Sequence, residues 1–496
     1  MLLELALLAV TMVVFLGLYA LRTKTPEGMP PGPRPLPILG NLLQVAPWML
    51  KKQLQVELTR ASKQYGSVFT LDIPGQRTII VNSAPITRQA LQANKDDFAG
   101  RPYQFTLDYL TRGSKDIGIG DFSPTWVLQR KIVHSAFRMY NPILGGKVKK
   151  EVEELSKRFR SYKGIPIDPT KDVFLATMNV ICAMVFGGRY EIDDPEFLMI
   201  VEYNQKMFPL FLPLSPLNIC PLLINVPIKD SRTIRWVRKT RDAFLDRKFL
   251  EHQETYQEGT IRDLTDALIK ALQDAVKEDS KIHGQITQDH VVMTMADAFS
   301  VGFETTTHTI LWFIVFMIHN PHVQARCQSE LDDVIGRDVT PGWDDKDRLP
   351  YIEATIAETL RASSVAALSV PHKAIKDTTL ADYKVPKGTS VLFNFWAMHY
   401  DDKEWKSPEV FDPTRFLDSD GQFIHAGGIM SFLPFGAGRR VCLGEALAKH
   451  ELFIAVAGLL QKFSFKNPPG EPLPELLGEL GIVHTTKPYK VCVVER

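Results

Sequence analysis

The stretch Phe432-Leu-Pro-Phe-Gly-Ala-Gly-Arg-Arg-Val-Cys-Leu-Gly-Glu holds the residues best suited to unusual chemistry in this 496-residue chain. Beyond it, Leu447, Leu452, Phe453 and Val456 recur at helical spacing, which predicts an amphipathic helix with Cys442 just before its N-terminus. Free amides and the helix dipole at such a position favour an anion, so the expectation is a thiolate. Gly436, Gly438 and Gly444 leave room for the backbone to approach a flat partner closely. Arg440 presents a cation for a carboxylate. A thiolate held this way, opposite an open axial position, is the arrangement that promotes O–O cleavage at iron.

The other cysteines (Cys182, Cys220, Cys327 and Cys492) are far apart and form no CxxC pair, which excludes a zinc ribbon and suits a reducing compartment. They sit in apolar runs and read as small core residues. Glu358 and Arg361 stand at i and i+3 on a helical stretch, where opposite charges meet. Thr305 lies mid-helix in Val301-Gly-Phe-Glu-Thr-Thr. Its ordinary use would be back-bonding to the preceding turn.

The pattern Phe435-x-x-Gly438-x-Arg440-x-Cys442-x-Gly444 resembles the haem-binding signature of cytochromes P-450. That resemblance implies haem b held by Cys442 as axial thiolate. It also implies that Val301 to Thr306 is the oxygen-activation motif. There Thr305 would hydrogen-bond bound oxygen, Glu304 would relay protons from solvent, and Gly302 would let the helix widen. Trp126-Val-Leu-Gln-Arg130 is similar to the family's Trp-x-x-x-Arg, and with Arg101 and His372 it implies contacts to the haem propionates. Glu358 and Arg361 would be a buried pair completed by Arg415 of Asp412-Pro-Thr-Arg-Phe416.

The likeness runs from the proline stretch to the C-terminus. It is nearest to animal microsomal enzymes of the steroid 17α-hydroxylase/17,20-lyase type, through Asp97-Phe-Ala-Gly-Arg-Pro, Gly302-Phe-Glu-Thr-Thr-Thr and Val370-Pro-His-Lys. The aromatic-hydrocarbon monooxygenases are also near, through Arg361-Ala-Ser-Ser and Asp377-Thr-Thr-Leu380. The implied activity is O2-dependent hydroxylation of an apolar substrate, a steroid before a planar aromatic, other xenobiotic or lipid. Positions carried over to the substrate pocket are Leu110, Ile119, Ala298, Val301, Gly302, Val365, Ala366, Ile482 and Val483. On the capping helix, Glu202 stands where the steroid enzymes have an asparagine that binds the 3-oxygen, with Asn204 and Arg241 as further polar contacts. Two other uses of the same cysteine are a haem-thiolate isomerase or dehydratase, and a non-enzymatic haem or steroid-binding protein. The Glu304-Thr305 pair argues against both.

The elements that must position these residues follow from periodicity. Val68 to Ile73 and Thr78 to Val81, joined through Pro74-Gly75, predict a β-hairpin. Helical spacing dominates over 147–162, 171–186, 234–256, 264–277 and 288–318, with short strand-like pieces near 384–394 and 487–494. The expected fold is mainly α with small β-sheets, the cytochrome P-450 fold, preceded by one N-terminal transmembrane helix. The uncharged run Leu5 to Leu21, followed by Arg22 and Lys24, is close to the length that spans a bilayer and places the rest in the cytosol. The expected divisions are a membrane anchor over 1–21, a proline-rich hinge over 22–41 and the catalytic domain over 42–496. Met207 to Pro227 is strongly apolar yet broken by five prolines. It reads as a buried loop or as a surface loop that dips into the bilayer.

Lys plus Arg number 58 and Asp plus Glu 57, so the net charge of +1 offers no basic field for nucleic acid. Lys131, Arg138, Arg439 and Lys449 could form a basic proximal face for an acidic flavoprotein. The resemblance implies electrons from NADPH through NADPH-cytochrome P-450 reductase, with cytochrome b5 as a second partner, at the endoplasmic reticulum membrane in single-pass topology.

Overall fold

The computed structural model describes residues 27–37, 39–73, 76–211, 215–277, 286–425 and 428–496. The expected anchor over 1–21 lies outside the described residues, as does the predicted Pro74-Gly75 turn. The described chain forms two bodies. One comprises the residues up to Pro102 with Ala367–Met398 and Ala437–Arg440, and the other comprises Tyr103–Ala366, His399–Gly436 and Val441–Arg496.

The first body is built on a four-stranded sheet. Strand β1 (Val68–Ile73) pairs antiparallel with β2 (Gln76–Val81), with Val68 opposite Val81, as the alternation predicts. β2 runs parallel to β4 (Ser390–Phe393), which pairs antiparallel with β3 (His372–Lys373). Helices α1 (Leu42–Leu50) and α2 (Leu54–Tyr65) cover this sheet through Val45, Leu58 and Ala61, packed on Phe69, Leu71 and Ile80. Part of the proline-rich stretch is docked rather than free. Thr70 donates its N–H to the Pro31 carbonyl at 2.7 Å, and the Asn41 N–H reaches Asp72 at 2.6 Å.

The second body is helical. Its elements are α3 (Pro124–Ser161), α4 (Thr170–Val185), α5 (Pro195–Met207), α6 (Lys229–Thr255), α7 (Leu264–Lys277), α8 (Gln288–His319), α9 (Pro321–Val334), α10 (Pro350–Ser363) and α11 (Glu445–Lys462). Each predicted helix is present, and the 147–162 stretch is the end of a much longer α3. A three-stranded antiparallel sheet contains Val491–Glu495 between Pro166–Ile167 and Phe463–Lys466.

At the centre is α8, whose Phe299, Phe303, Trp312 and Phe313 are wholly buried. It is long and apolar enough to cross a bilayer, but 72% of its most apolar stretch is buried, as befits a core helix. α11 departs from the amphipathic expectation. It is buried on every side from His450 to Gln461, because neighbours surround it rather than one face meeting water. The proline-broken segment folds into short turns at Phe208–Phe211, Pro216–Ile219 and Pro221–Asn225. Leu210 and Leu217 are buried there, while Leu222 is 77% exposed. Cys220 is exposed as well, in contrast to the core position expected for it.

Candidate active site

Cys442 enters its loop through a backbone hydrogen bond, its N–H donating to the Phe435 carbonyl at 3.0 Å. The next residues turn directly into α11, with Gly444 as N-cap and Glu445 as the first helical residue. The Gly444 and Glu445 amides donate toward the sulfur. These are the free amides that the sequence pattern placed there.

They do not by themselves make a thiolate. Burial raises the Cys442 pKa and outweighs the pull of the two amides and of Arg130, with Glu445 adding to the rise. The helix terminus lowers the proton affinity of the sulfur, as the sequence pattern implies, and burial raises it by more. Desolvating a charge is the larger effect here, and a bound metal ion is what displaces a thiol proton outright.

Arg130 lies on α3, whose start is fixed by Pro124 and by Ser123, whose hydroxyl accepts the Trp126 N–H at 3.1 Å. Its guanidinium sits 5.2 Å from the Trp126 ring and donates to the Val441 carbonyl at 2.6 Å, one residue before the cysteine. The Trp126 indole N–H donates to Ile117 at 2.9 Å.

A second set of donors lies within the first body. Arg101 bonds the carbonyls of Val370 (3.2 Å) and Pro371 (2.9 Å), and Arg440 bonds that of Ala99 (2.8 Å). His372 Nδ1 meets the Phe98 carbonyl at 2.8 Å, so Nδ1 carries the proton. Burial, with Arg101 and then Arg440 adding to it, holds His372 well below the ordinary imidazole range. Gly438 is obligatory in this body: at φ +73°, a Cβ there would sit 1.6 Å from the Leu91 carbonyl oxygen. At Gly444 a Cβ would rest at an ordinary 3.9 Å from the Cys442 sulfur.

The Glu358–Arg361 pair is fully buried and bidentate, with both N···O distances 2.7 Å. Arg415 approaches Glu358 at 3.5 Å, and the Asp412 N–H donates to the same carboxylate at 2.8 Å. The network extends further than the sequence indicated. Arg361 also donates to the His399 carbonyl at 2.8 Å. His399 Nε2 accepts the Leu433 N–H at 3.1 Å and its Nδ1 meets Ser364 Oγ at 2.6 Å. Burial, and then Arg361, lower His399 to about 3, so it is neutral. It ties the network to the loop that leads into Cys442. Nothing in Trp396-Ala-Met-His-Tyr marks it out, because its partners are distant in the chain.

On α8, Val301 is 50% exposed although the helix is buried on either side of it. The helix is regular throughout, so the widening expected at Gly302 is not seen; a Cβ there would meet Ile181 at 3.3 Å. Thr305 Oγ1 donates to the Val301 carbonyl at 3.3 Å, a long back-bond. Glu304 Oε1 lies 3.3 Å from His308 Nε2.

The carried-over pocket positions divide. Leu110 and Val365 are buried, Ile119, Ala298, Gly302, Ala366 and Val483 are half-buried, and Ile482 is exposed. Glu202 does not face the interior: its side chain is 53% exposed and paired with Lys206. The buried stripe of α5 is Phe197, Ile200, Tyr203, Asn204 and Met207. The spacing of Phe197, Ile200, Asn204 and Met207 would have identified Asn204, not Glu202, as the inward polar residue. Arg241 is buried and bonds the Leu110 carbonyl and Asp242. Of the basic residues expected on the proximal side, Arg439 pairs with Asp96 and Lys449 with Glu445, each at 2.6 Å. Lys131 and Arg138 are exposed.

The residues present fit a haem. Cys442 has exposed surface yet is deeply desolvated, and in the first body the Arg101 and Arg440 guanidinium groups are the donors, beside the buried His372 ring. That donor set has the chemistry for carboxylates. Fold and site together define a haem-thiolate enzyme, and the chain belongs to the cytochrome P450 family, whose pattern matches residues 30–493. The family implies haem with thiolate ligation and electrons from a redox partner, and the chain is a cytochrome P450 monooxygenase.

Its relatives narrow the likeness. It is 39% identical to the steroid 17-alpha-hydroxylase/17,20 lyase of Gallus gallus, over 95% of this chain and 92% of that one. The enzyme of the same name from Ictalurus punctatus is 40% identical, over 93% and 90%. A solved zebrafish cytochrome P450 with progesterone matches at a TM-score of 0.79 and 38% identity, over 89% of this chain and 99% of that one.

Proposed function

We propose that this enzyme hydroxylates a steroid, in the manner of the 17α-hydroxylase/17,20-lyases. The observation that carries this reading is the likeness at about 40% identity over nearly whole chains, joined by a solved relative holding progesterone. Side chains of this chain support it. Tyr203 OH, Asn204 Oδ1 and Ser300 Oγ are buried without a well-formed hydrogen bond among the described residues. Ser300 and Asn204 nevertheless lie near enough to Tyr203 to oppose the rise that burial imposes on its phenol. Unmet polar atoms among apolar neighbours suit a ligand that is mostly hydrocarbon with a few oxygens.

Bound haem supplies the oxidising power for breaking an unreactive C–H bond. Cys442 would ligate it, with Arg130 and the Phe435 carbonyl fixing the loop, while Arg101, Arg440, Trp126 and Arg130 would hold its propionates, joined by His372 once a propionate charge beside it favours a second ring proton. Thr305 and Glu304 would deliver protons, Thr305 by releasing its long back-bond. Electrons would come from NADPH through a flavoprotein reductase, with cytochrome b5 as a second donor. Residues 1–21 would anchor the enzyme in the endoplasmic reticulum membrane, and Lys131 and Arg138 would face the reductase.

The test is spectroscopic. The reduced holoenzyme with carbon monoxide should show a strongly red-shifted Soret band that Cys442→Ala abolishes. Progesterone or pregnenolone should shift the ferric enzyme from low to high spin. No spin shift with either steroid, alongside one with a planar aromatic, would overturn the steroid reading and leave the monooxygenase intact.

A further inference from the structure

His308, one turn beyond Glu304 on α8, has no part in the haem signature, in the Glu304-Thr305 motif or among the pocket positions. Its imidazole is nonetheless the group that meets the Glu304 carboxylate, Nε2 to Oε1 at 3.3 Å. Both side chains are nearly buried, Glu304 at 13% exposure and His308 at 14%. The spacing i, i+4 puts the two on one face of the helix, with the acid N-terminal to the base, the favourable order.

The other ring nitrogen, Nδ1, is buried without a hydrogen-bond partner among the described residues, and the ring lies near that of His484. Nε2 therefore makes the ring's hydrogen bond among the described residues. A carboxylate can only accept, so Nε2 carries the hydrogen in this arrangement. The bond is at the long end for N–H···O, which holds a side chain without locking it. Thr305, the neighbour of Glu304, is likewise held by a long back-bond of 3.3 Å, whereas Thr309 bonds the Thr305 carbonyl at 2.8 Å.

We propose that His308 is a positioning residue for proton delivery, its Nε2–H favouring the rotamer from which Glu304 hands on a proton. This rests on the reading that Glu304 and Thr305 deliver protons. His308 itself neither gains nor loses a proton over the cycle, and the proton leaving Glu304 is replaced from solvent. The consequence is a division of labour on one helix face, with Thr305 and Glu304 passing protons and His308 keeping Glu304 in place.

Two measurements on the reductase-supported holoenzyme test it. The first is coupling, product formed per NADPH consumed, with hydrogen peroxide as the alternative fate. His308→Ala should lower coupling about tenfold, the usual scale for removing an outer partner of a reacting group. His308→Gln, which returns an amide N–H at similar reach, should restore most of it, with the carbon monoxide band unchanged in both. The second is nitrogen NMR of histidine-labelled, ferrous carbon monoxide-bound enzyme, with the His308 signals assigned by their loss in His308→Gln. Nε2 should carry a proton, and its signal should move in Glu304→Ala.

An unprotonated Nε2, or one indifferent to Glu304→Ala, would overturn the proposal. So would full coupling in His308→Ala while Glu304→Ala is uncoupled. If Glu304→Ala itself stays coupled, the underlying reading of proton delivery fails instead. If His308→Gln is as uncoupled as His308→Ala, the ring acts by something other than its N–H, and the positioning role fails.

Discussion

Glu358 and Glu304 both face a basic residue about one turn away on their own helix, yet the two pairs have opposite characters. Glu358 and Arg361 have no exposure at all and meet through two 2.7 Å contacts. Burial still raises the Glu358 pKa against the pull of Arg361, the Asp412 N–H and Arg415. Such a pair is costly to desolvate and costlier to break. Glu304 and His308 meet once, at 3.3 Å and near an edge of the packing. The first pair fastens α10 to the loop carrying Cys442. The second is held loosely, as suits a group that must move a proton.

Glu451 on α11 extends the comparison, as a buried carboxyl whose Oε1 lacks a hydrogen-bond partner among the described residues. Burial alone pushes it up to about 8. Glu358 has a cation to oppose the effect of burial, whereas burial acts on Glu451 without one among the described residues.

The comparison can be broken most severely at Arg361. Arg361→Ala leaves the Glu358 charge buried without its cation and should cost about 3–5 kcal/mol, with haem uptake falling as the chain unfolds. Denaturant unfolding followed by the Soret band measures this, and a loss under 1 kcal/mol would show the pair to be dispensable. Arg361→Lys keeps the charge but not the paired contacts or the bond to His399, and should cost about 2 kcal/mol.

Glu451→Gln should be visible only in part of the pH range. An unfolded glutamate titrates near 4.5 and the folded one near 8, so the folded chain holds the extra proton between them. Wild-type stability therefore falls as pH rises through that window. The variant should melt a few degrees higher than wild type at pH 8.5 and at the same temperature at pH 4, by calorimetry. An equal difference at both pH values would show that Glu451 is ionised in the fold.

Glu304→Gln should have the smallest effect on stability, within about 1 kcal/mol, because the pair is single and weak. Its effect should appear instead in coupling. A large loss of stability would place Glu304 with Glu358 among the structural pairs.

Much of this was legible in the chain. The Phe435 to Gly444 spacing marks the family, because a ligating cysteine must stand at a helix start with glycines beside it, and those are local requirements. The hairpin and α8 were legible through alternation and helical period, which one segment displays without its neighbours. Glu358–Arg361 was legible for the same reason, being one turn of one helix.

What only the tertiary structure decided depends on distant residues or on burial. Asn204 points inward and Glu202 to solvent because of which face of α5 is covered. His399 joins the Glu358 network to Leu433 across more than thirty residues. α11 proved to be buried all round because other helices close over it. The proton affinity of Cys442 is set by desolvation, which sums over all the atoms nearby and so cannot be read from spacing. The sequence determined which groups were present and their order, and the packing decided which of them lost their water and which were left to react.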